Sequence, residues 1–264
     1  MKCNQFSNHI LLNTSIFFAV IMLACNHKPT KKEGMVLIES GGNLKNFWLD
    51  VSPVTVAQFG AFIKSTGYKT QAEEFGDGGT FDFKTGTWTL MKGANWQHPF
   101  GKDAAAAPPN HPVTQVSWND AVAYCKWAKK RLPTSDEFIY AEKNGQDNYD
   151  KTYTWGNDFI EQKKYKTNFW QGSFPFKNTV DDGFLTTSPV GYFGENELGL
   201  TDMGGNVWNW CADDAAEKAG EKRQRGGSYL CDPAVCHGFK IGGVSSSSAE
   251  TSLVHVGFRC AKDI

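Results

Sequence analysis

The 264-residue chain carries 27 Lys and Arg against 28 Asp and Glu, a formal net charge of −1. It therefore lacks both the basic footprint of a nucleic-acid binder and a field that would hold it on anionic lipid. Its 40% hydrophobic and 14% aromatic residues can fill one sizeable core, and its 27 Gly, 9 Trp and 19 Phe describe a loop-rich, aromatic-packed domain rather than a helical bundle.

Ile16 to Ala24 is an apolar run too short to cross a bilayer but suited to the core of a signal peptide. It ends in Met22-Leu23-Ala24-Cys25, similar to a bacterial lipobox in which Cys25 would be lipidated and become the first mature residue; an ordinary cleaved secretory signal is the alternative. The expected organisation is a signal peptide with lipobox over 1–25, a polar tether over 26–34 and one folded domain over 35–264. The product would be exported and membrane-anchored, in the periplasm or at the cell surface, where disulfides persist. Besides Cys3 and Cys25, five cysteines remain: Cys125, Cys211, Cys231, Cys236 and Cys260. An odd number leaves at least one with another role, and Cys211 reads as a buried free thiol.

In chain order, MVLIESGG (35–42) and FWLDVSPVTV (47–56) read as strands. A first short helix follows, with Val56, Phe59, Phe62 and Ile63 at helical spacing between an N-cap at Thr55 and a stop at Gly67. Residues 69–110, rich in Gly, Trp and Pro without a sustained period, are expected to form long surface loops around a binding groove. A second helix starts at the N-cap Ser117 and turns Cys125 inward; a third carries the capping-box pair Thr134 and Glu137 and stops at Gly145. From 146 onward, short strand-like pieces alternate with Gly, Asn and Asp turns, and no comparable helix is expected. The class is α+β: a single mixed domain rich in irregular structure.

Within GGSYLCDPAVCHGF (226–239), Cys231 and Cys236 lie five positions apart, open to reading as a disulfide, a metal site or a redox pair. The segments HPVTQVSWNDAVAYCKWAKKRLPTSDEFIYA, NFWQGSFPFKNTVDDGF, GLTDMGGNVWNW and RGGSYLC…GFRC, in that order, resemble the formylglycine-generating enzyme, or sulfatase-modifying factor, family from about Met35 to Lys262. The resemblance implies that family's mixed fold, a relative of the C-type lectin fold. It also implies copper held by Cys231 and Cys236, whose soft thiolates suit Cu(I). Ser228 and Trp208 would line the oxygen pocket, a disulfide would join Cys125 to Cys260, and the family's other disulfide would be absent, its positions falling on Glu142 and Ile241.

Calcium is implied twice. One site would use Asn168, the carbonyl of Phe169, Asp182 and the carbonyl of Phe184; the other Asp202, the carbonyls of Gly205 and Val207, and Asn209. Asn209 stands where the family has glutamate, which removes a charge from the second site. Asp232 and Val235 stand where many active members carry histidine and an aromatic, and His237 and Lys240 are the basic groups left in the segment after the cysteines.

The function implied is an oxygen-dependent copper oxidase converting the cysteine of a C-x-P-x-R motif in exported sulfatases to formylglycine. The partners expected are that sulfatase polypeptide and a lipid anchor, for a monomer that binds no nucleic acid. The alternative is a surface lipoprotein of the same fold that binds a protein or glycan without chemistry, through aromatics around Trp88 and Trp96. An iron-dependent sulfoxide synthase would need a histidine cluster that the six scattered histidines do not provide.

Overall fold

A computed structural model describes residues 30–39, 41 and 44–264, so the apolar leader and Cys25 lie outside the described residues. Folded structure starts inside the segment read as a tether. Strand β1 (Lys31–Lys32) turns through Glu33 and Gly34, both at positive φ, and pairs with β2 (Met35–Ile38), while Lys31 reaches Glu195 at 2.8 Å. Strand β3 (Phe47–Asp50) runs antiparallel to β2, with Leu49 opposite Val36.

Helix α1 (Val56–Thr66) begins with reciprocal hydrogen bonds between Thr55 and Gln58 and ends at Gly67, whose φ of 68° glycine adopts without a Cβ penalty. Three more helices use the same device: α2 (Gln71–Phe75) from Thr70 and Glu73, α3 (Trp118–Trp127) from Ser117 and Asp120, and α4 (Ser135–Glu142) from Thr134 and Glu137. Each cap satisfies amide groups the helix cannot pair internally, worth about 1 kcal/mol. α4 stops short of the expected Gly145, because Asn144 has already turned to φ 54° and Gly145 follows at 71°.

The region 69–110 is not the run of loops that its sequence suggests. Besides α2 it contains a regular hairpin of β4 (Asp77–Asp82) and β5 (Thr87–Lys92). Gly78 and Gly79 leave two positions of β4 without side chains and every residue of β5 is exposed, so neither strand shows the alternation that marks one buried face. Trp88 is 48% exposed on this hairpin, whereas Trp96 is only 7% exposed and packs edge-on against Phe59 at 5.6 Å, which removes it from any surface patch.

Beyond α4 come the two-residue ladders β6 (Ile160–Glu161) with β7 (Lys164–Tyr165), and β8 (Gly172–Ser173) with β9 (Lys177–Asn178). They are followed by β10 (Trp208–Asp214), β11 (Glu221–Arg225), β12 (Val244–Ser248), β13 (Val256–Gly257) and β14 (Ala261–Asp263), with no helix among the described residues of this half. Two four-stranded sheets result, ordered β1-β2-β3-β14 and β12-β11-β10-β13.

Strand β10 divides two cores. Trp208 and Trp210 pack with Phe59, Tyr124 and Phe258, while Cys211 packs with Ile38, Leu49 and Phe138 under the first sheet. The fully buried Arg259 ties these regions together, donating to the carbonyls of Thr201 and Asp202 at 2.8 and 2.9 Å. No helix of the described residues is long and apolar enough to cross a membrane.

Candidate active site

Two close glycine contacts assemble the site. Gly226 and Gly227, at φ 93° and 71°, turn the chain out of β11, and a Cβ on Gly227 would stand 2.5 Å from the Phe239 nitrogen. The turn thus lies directly on the loop after Cys236. A Cβ on Gly238 would overlap the indole of Trp208 and lie 3.1 Å from the Cys231 sulfur. Only glycine lets these two loops close against β10. Ser228, Trp208, Cys231 and Gly238, all buried, therefore sit together, with Cys236 half-buried beside them and His237 exposed.

Hydrogen bonds fix the cysteine loop. The Cys231 nitrogen donates to the Ser228 carbonyl at 3.0 Å, the Trp170 nitrogen donates to the Cys231 carbonyl at 2.9 Å, and the Ser228 hydroxyl accepts from the Leu230 nitrogen at 3.3 Å. Asp232, 3% exposed, accepts from the nitrogens of Ala234 and Val235 at 2.6 and 2.7 Å, and its carbonyl accepts from Cys236 at 3.1 Å. An aspartate cap with proline next is a helix-start signature. Asp232-Pro233 uses it to wind one turn that returns Cys236 to Cys231, Cα to Cα 4.8 Å. The residue that departs from the family's histidine is thus the one that shapes the turn. Its signal, D-P ahead of the second cysteine, was available in the sequence.

The sulfurs of Cys231 and Cys236 are joined as a disulfide, while Cys125 and Cys260, the pair for which the resemblance implies a disulfide, are free thiols with sulfurs 3.1 Å apart. At such a separation a thiol pair differs from a disulfide by two electrons rather than by a change of fold. Cys211 is a fully buried free thiol, as read from sequence, and burial pushes it far above the usual thiol range, which makes it inert.

Among the described residues no group of three or more His, Cys, Asp and Glu is gathered as a metal cage. Once reduced, Cys231 and Cys236 would present two thiolate sulfurs on one short turn, a soft set that fits Cu(I) and leaves its coordination open.

For the first calcium site, Asp182 accepts from the nitrogens of Phe169 and Phe184 at 3.1 and 2.9 Å, and Gln171 Nε2 donates both to Asp182 at 2.7 Å and to the Phe169 carbonyl. Asn168 Oδ1 is buried with no partner among the described residues. Burial raises the Asp182 carboxyl above its usual range, with the amide donors pulling the other way. Asp182 already has three donors, so what fits a hard cation here is the orphaned Asn168 oxygen on the residue adjoining the Phe169 carbonyl, a feature the second set lacks.

The second set does not fit. Asn209 Nδ2 donates to the Val207 carbonyl at 3.0 Å, and Asn209 Oδ1 accepts from the buried guanidinium of Arg259 at 3.3 Å. Asp202 is satisfied by Gly191, Thr201 and Asn206 at 2.7, 2.8 and 3.1 Å.

Comparison with known proteins places the chain in a family. The family described as "Sulfatase-modifying factor enzyme 1-like domain" matches residues 27–264. The chain is 39% identical over 247 residues to the formylglycine-generating enzyme of Bos taurus, covering 82% of this chain but 66% of the length of that relative. It is 34% identical over 238 residues to the inactive C-alpha-formylglycine-generating enzyme 2 of Bos taurus, covering 83% of this chain and 77% of that one. Among solved structures, PvdO from Pseudomonas aeruginosa superposes with a TM-score of 0.59 at 25% identity, over 83% of this chain and 81% of the other.

Proposed function

We propose, since the chain belongs to the formylglycine-generating enzyme (sulfatase-modifying factor) family, that it oxidises a cysteine in a C-x-P-x-R segment of an exported sulfatase to formylglycine. The observation that carries this reading is the packing of the 228–236 turn, with Ser228 and Cys231 buried and Cys236 half-buried, against Trp208 of β10 through Gly238. Bound there, Cu(I) would supply a soft site for the substrate thiolate and for dioxygen. The chain's own residues do the rest. Reduced Cys231 and Cys236 hold the ion, Trp208 excludes water, and the buried Ser228 hydroxyl offers a proton to a reduced oxygen species.

Overall the substrate's CH2–SH group loses two electrons and two protons to become a thioaldehyde, which water converts to the aldehyde and hydrogen sulfide. Dioxygen takes those two electrons and two more from an external thiol reductant, leaving as water. The disulfide is then the oxidised resting form of the ligand pair, opened by the same reductant. Calcium at Asn168, Phe169, Asp182 and Phe184 would hold the segment behind the site, and the anchor would be a lipid on Cys25.

A second reading keeps the fold without chemistry. It is favoured by the exposed apolar side chains Phe75, Trp88 and Leu90, 62%, 48% and 72% exposed, on α2 and the outer strand of the β4–β5 hairpin.

The deciding experiment loads reduced protein with Cu(I) in competition with a chelator, alongside Cys231→Ser and Cys236→Ser, then adds a C-x-P-x-R peptide, a thiol reductant and oxygen. Tight copper binding that needs both cysteines, with an aldehyde-mass product, supports the oxidase. Weak binding with no product leaves the binding protein.

A further inference from the structure

Residues 237–243 follow Cys236 and form the wall against which the cysteine turn rests. The first half of the segment is anchored by Phe239, 1% exposed and packed on Tyr153 and Phe169, and the Ile241 nitrogen donates to the Thr152 carbonyl at 3.1 Å. His237 is exposed, and Gly238, Gly242 and Gly243 have no side chain, so the end of the segment at Gly242 and Gly243 has no anchor of its own. Inside the loop the backbone folds on itself. Lys240 donates to the His237 carbonyl at 3.0 Å, Gly243 donates to the Lys240 carbonyl at 2.8 Å, and Gly243 lies in direct contact with Gly238. Gly238 in turn abuts Trp208 and the sulfur of Cys231. A displacement at Gly242 and Gly243 is therefore passed to Gly238 and from there to both site residues, because glycine contacts of this kind leave no slack.

What fixes Gly242 comes from outside the loop. Glu142, the last residue of α4, is 2% exposed and accepts from the Gly242 nitrogen at 2.9 Å. Arg225, at the end of β11 and 6% exposed, donates to the Gly242 carbonyl at 2.5 Å and to that of Gly243 at 3.3 Å. Its Nε is itself held by the Ser135 hydroxyl of α4 at 2.9 Å. Both faces of one peptide position are gripped by buried ionisable groups, and both grips trace back to α4. A carboxyl group buried at this depth is costly, and a Gly242 N–H hydrogen bond plus proximity to Arg225 is the compensation on view. Glu142 touches none of the candidate reacting atoms.

We propose that Glu142 is a positioning residue for the Cys231–Cys236 pair, holding the loop 237–243 by the Gly242 amide and so setting where Gly238 presses on Trp208 and Cys231. The inference rests on those cysteines being the reactive pair, and its test separates the two.

Glu142→Met keeps the volume and removes the acceptor, whereas Glu142→Gln keeps an oxygen for the Gly242 amide. Amide hydrogen exchange is measured residue by residue, and Cu(I) affinity by chelator competition on the reduced protein. The Met variant should exchange about tenfold faster at 239–243 with the rest of the chain unchanged, and bind Cu(I) about tenfold more weakly, while the Gln variant stays near wild type. Unchanged exchange at 239–243 in the Met variant, acceleration spread evenly through the chain, or an equal loss in the Gln variant would overturn the proposal.

Should the Met variant fail to fold, the wild-type protein supplies the test: the Gly242 amide must be the slowest to exchange in its loop, and rapid exchange there overturns the proposal. If wild-type protein binds no Cu(I), the oxidase reading falls, while the exchange pattern still decides whether Glu142 holds the loop.

Discussion

Gly238 and Trp208 meet with no room for a methyl group between them, the absent Cβ lying within the indole ring's contact surface and 3.1 Å from the Cys231 sulfur. Gly238→Ala must push the Trp208 ring or the loop aside. The expected result is a loss of about 1–3 kcal/mol in stability, as for other overpacked sites, together with at least a tenfold fall in peptide oxidation. Denaturant unfolding and aldehyde yield, measured on the same preparation, check both.

The Cys125 and Cys260 sulfurs are 3.1 Å apart across 135 residues of chain. Mild oxidation of the folded protein should remove two titratable thiols and raise stability by about 2–4 kcal/mol. Cys125→Ser should lose that gain. Thiol counting under denaturing conditions, with peptide mapping, identifies the pair.

Calcium should bind with one equivalent per chain, because the Asn168 and Asp182 donors fit it and the Asn209 set is already committed to Val207 and Arg259. At a hundredfold excess over its dissociation constant, calcium adds about 2.7 kcal/mol, a rise in Tm of roughly 5–10 °C for a chain of this size. Asp182→Asn should abolish the shift. Calorimetric titration gives the stoichiometry, and two equivalents would contradict the assignment.

Burial pushes the Glu142 carboxyl up to about 8, against the opposing pull of the Gly242 amide, Arg225, Arg259 and Lys143. A carboxyl group raised in the folded state is held protonated more firmly there than in the unfolded chain. Its contribution is complete below the unfolded value near 4.5 and is lost as pH rises through about 8. Glu142→Gln cannot ionise. The stability of wild type relative to that variant should fall steadily between pH 4.5 and 8, as unfolding at several pH values would record.

The sequence was most readable where local chemistry acts alone. Thr55, Ser117 and Thr134 cap helices as their side chains and downstream partners dictate, and Gly67 ends α1. The Thr70 and Glu73 capping box was equally local and marks α2, but the surrounding glycines masked it. The β4–β5 hairpin was illegible for a different reason: it is held by tertiary features, the bond from Gln115 to the Gly79 carbonyl and the stacking of Phe81 on Phe174. At the site, motif order brought Cys231, Cys236, Ser228 and Trp208 to attention. The resemblance set Glu142 against Ile241, as the positions of an absent disulfide, but no local signal announces the hydrogen bond that Glu142 makes instead with the Gly242 amide, a hundred residues on. The role of Asp232 could have been read from the proline beside it.

The pairing of β3 with β14 sets Phe47 opposite Asp263 and Leu49 opposite Ala261, while Arg131 binds both Asp263 and Glu137. The sheet begun by the first described residues thus receives its outer strand from residues 261–263. Until those have emerged from whatever is making or threading the polypeptide, β3 presents an unpaired edge to its surroundings. Closure of this sheet therefore waits on residues 261–263, and a substitution or insertion there would act on assembly through the β3 edge.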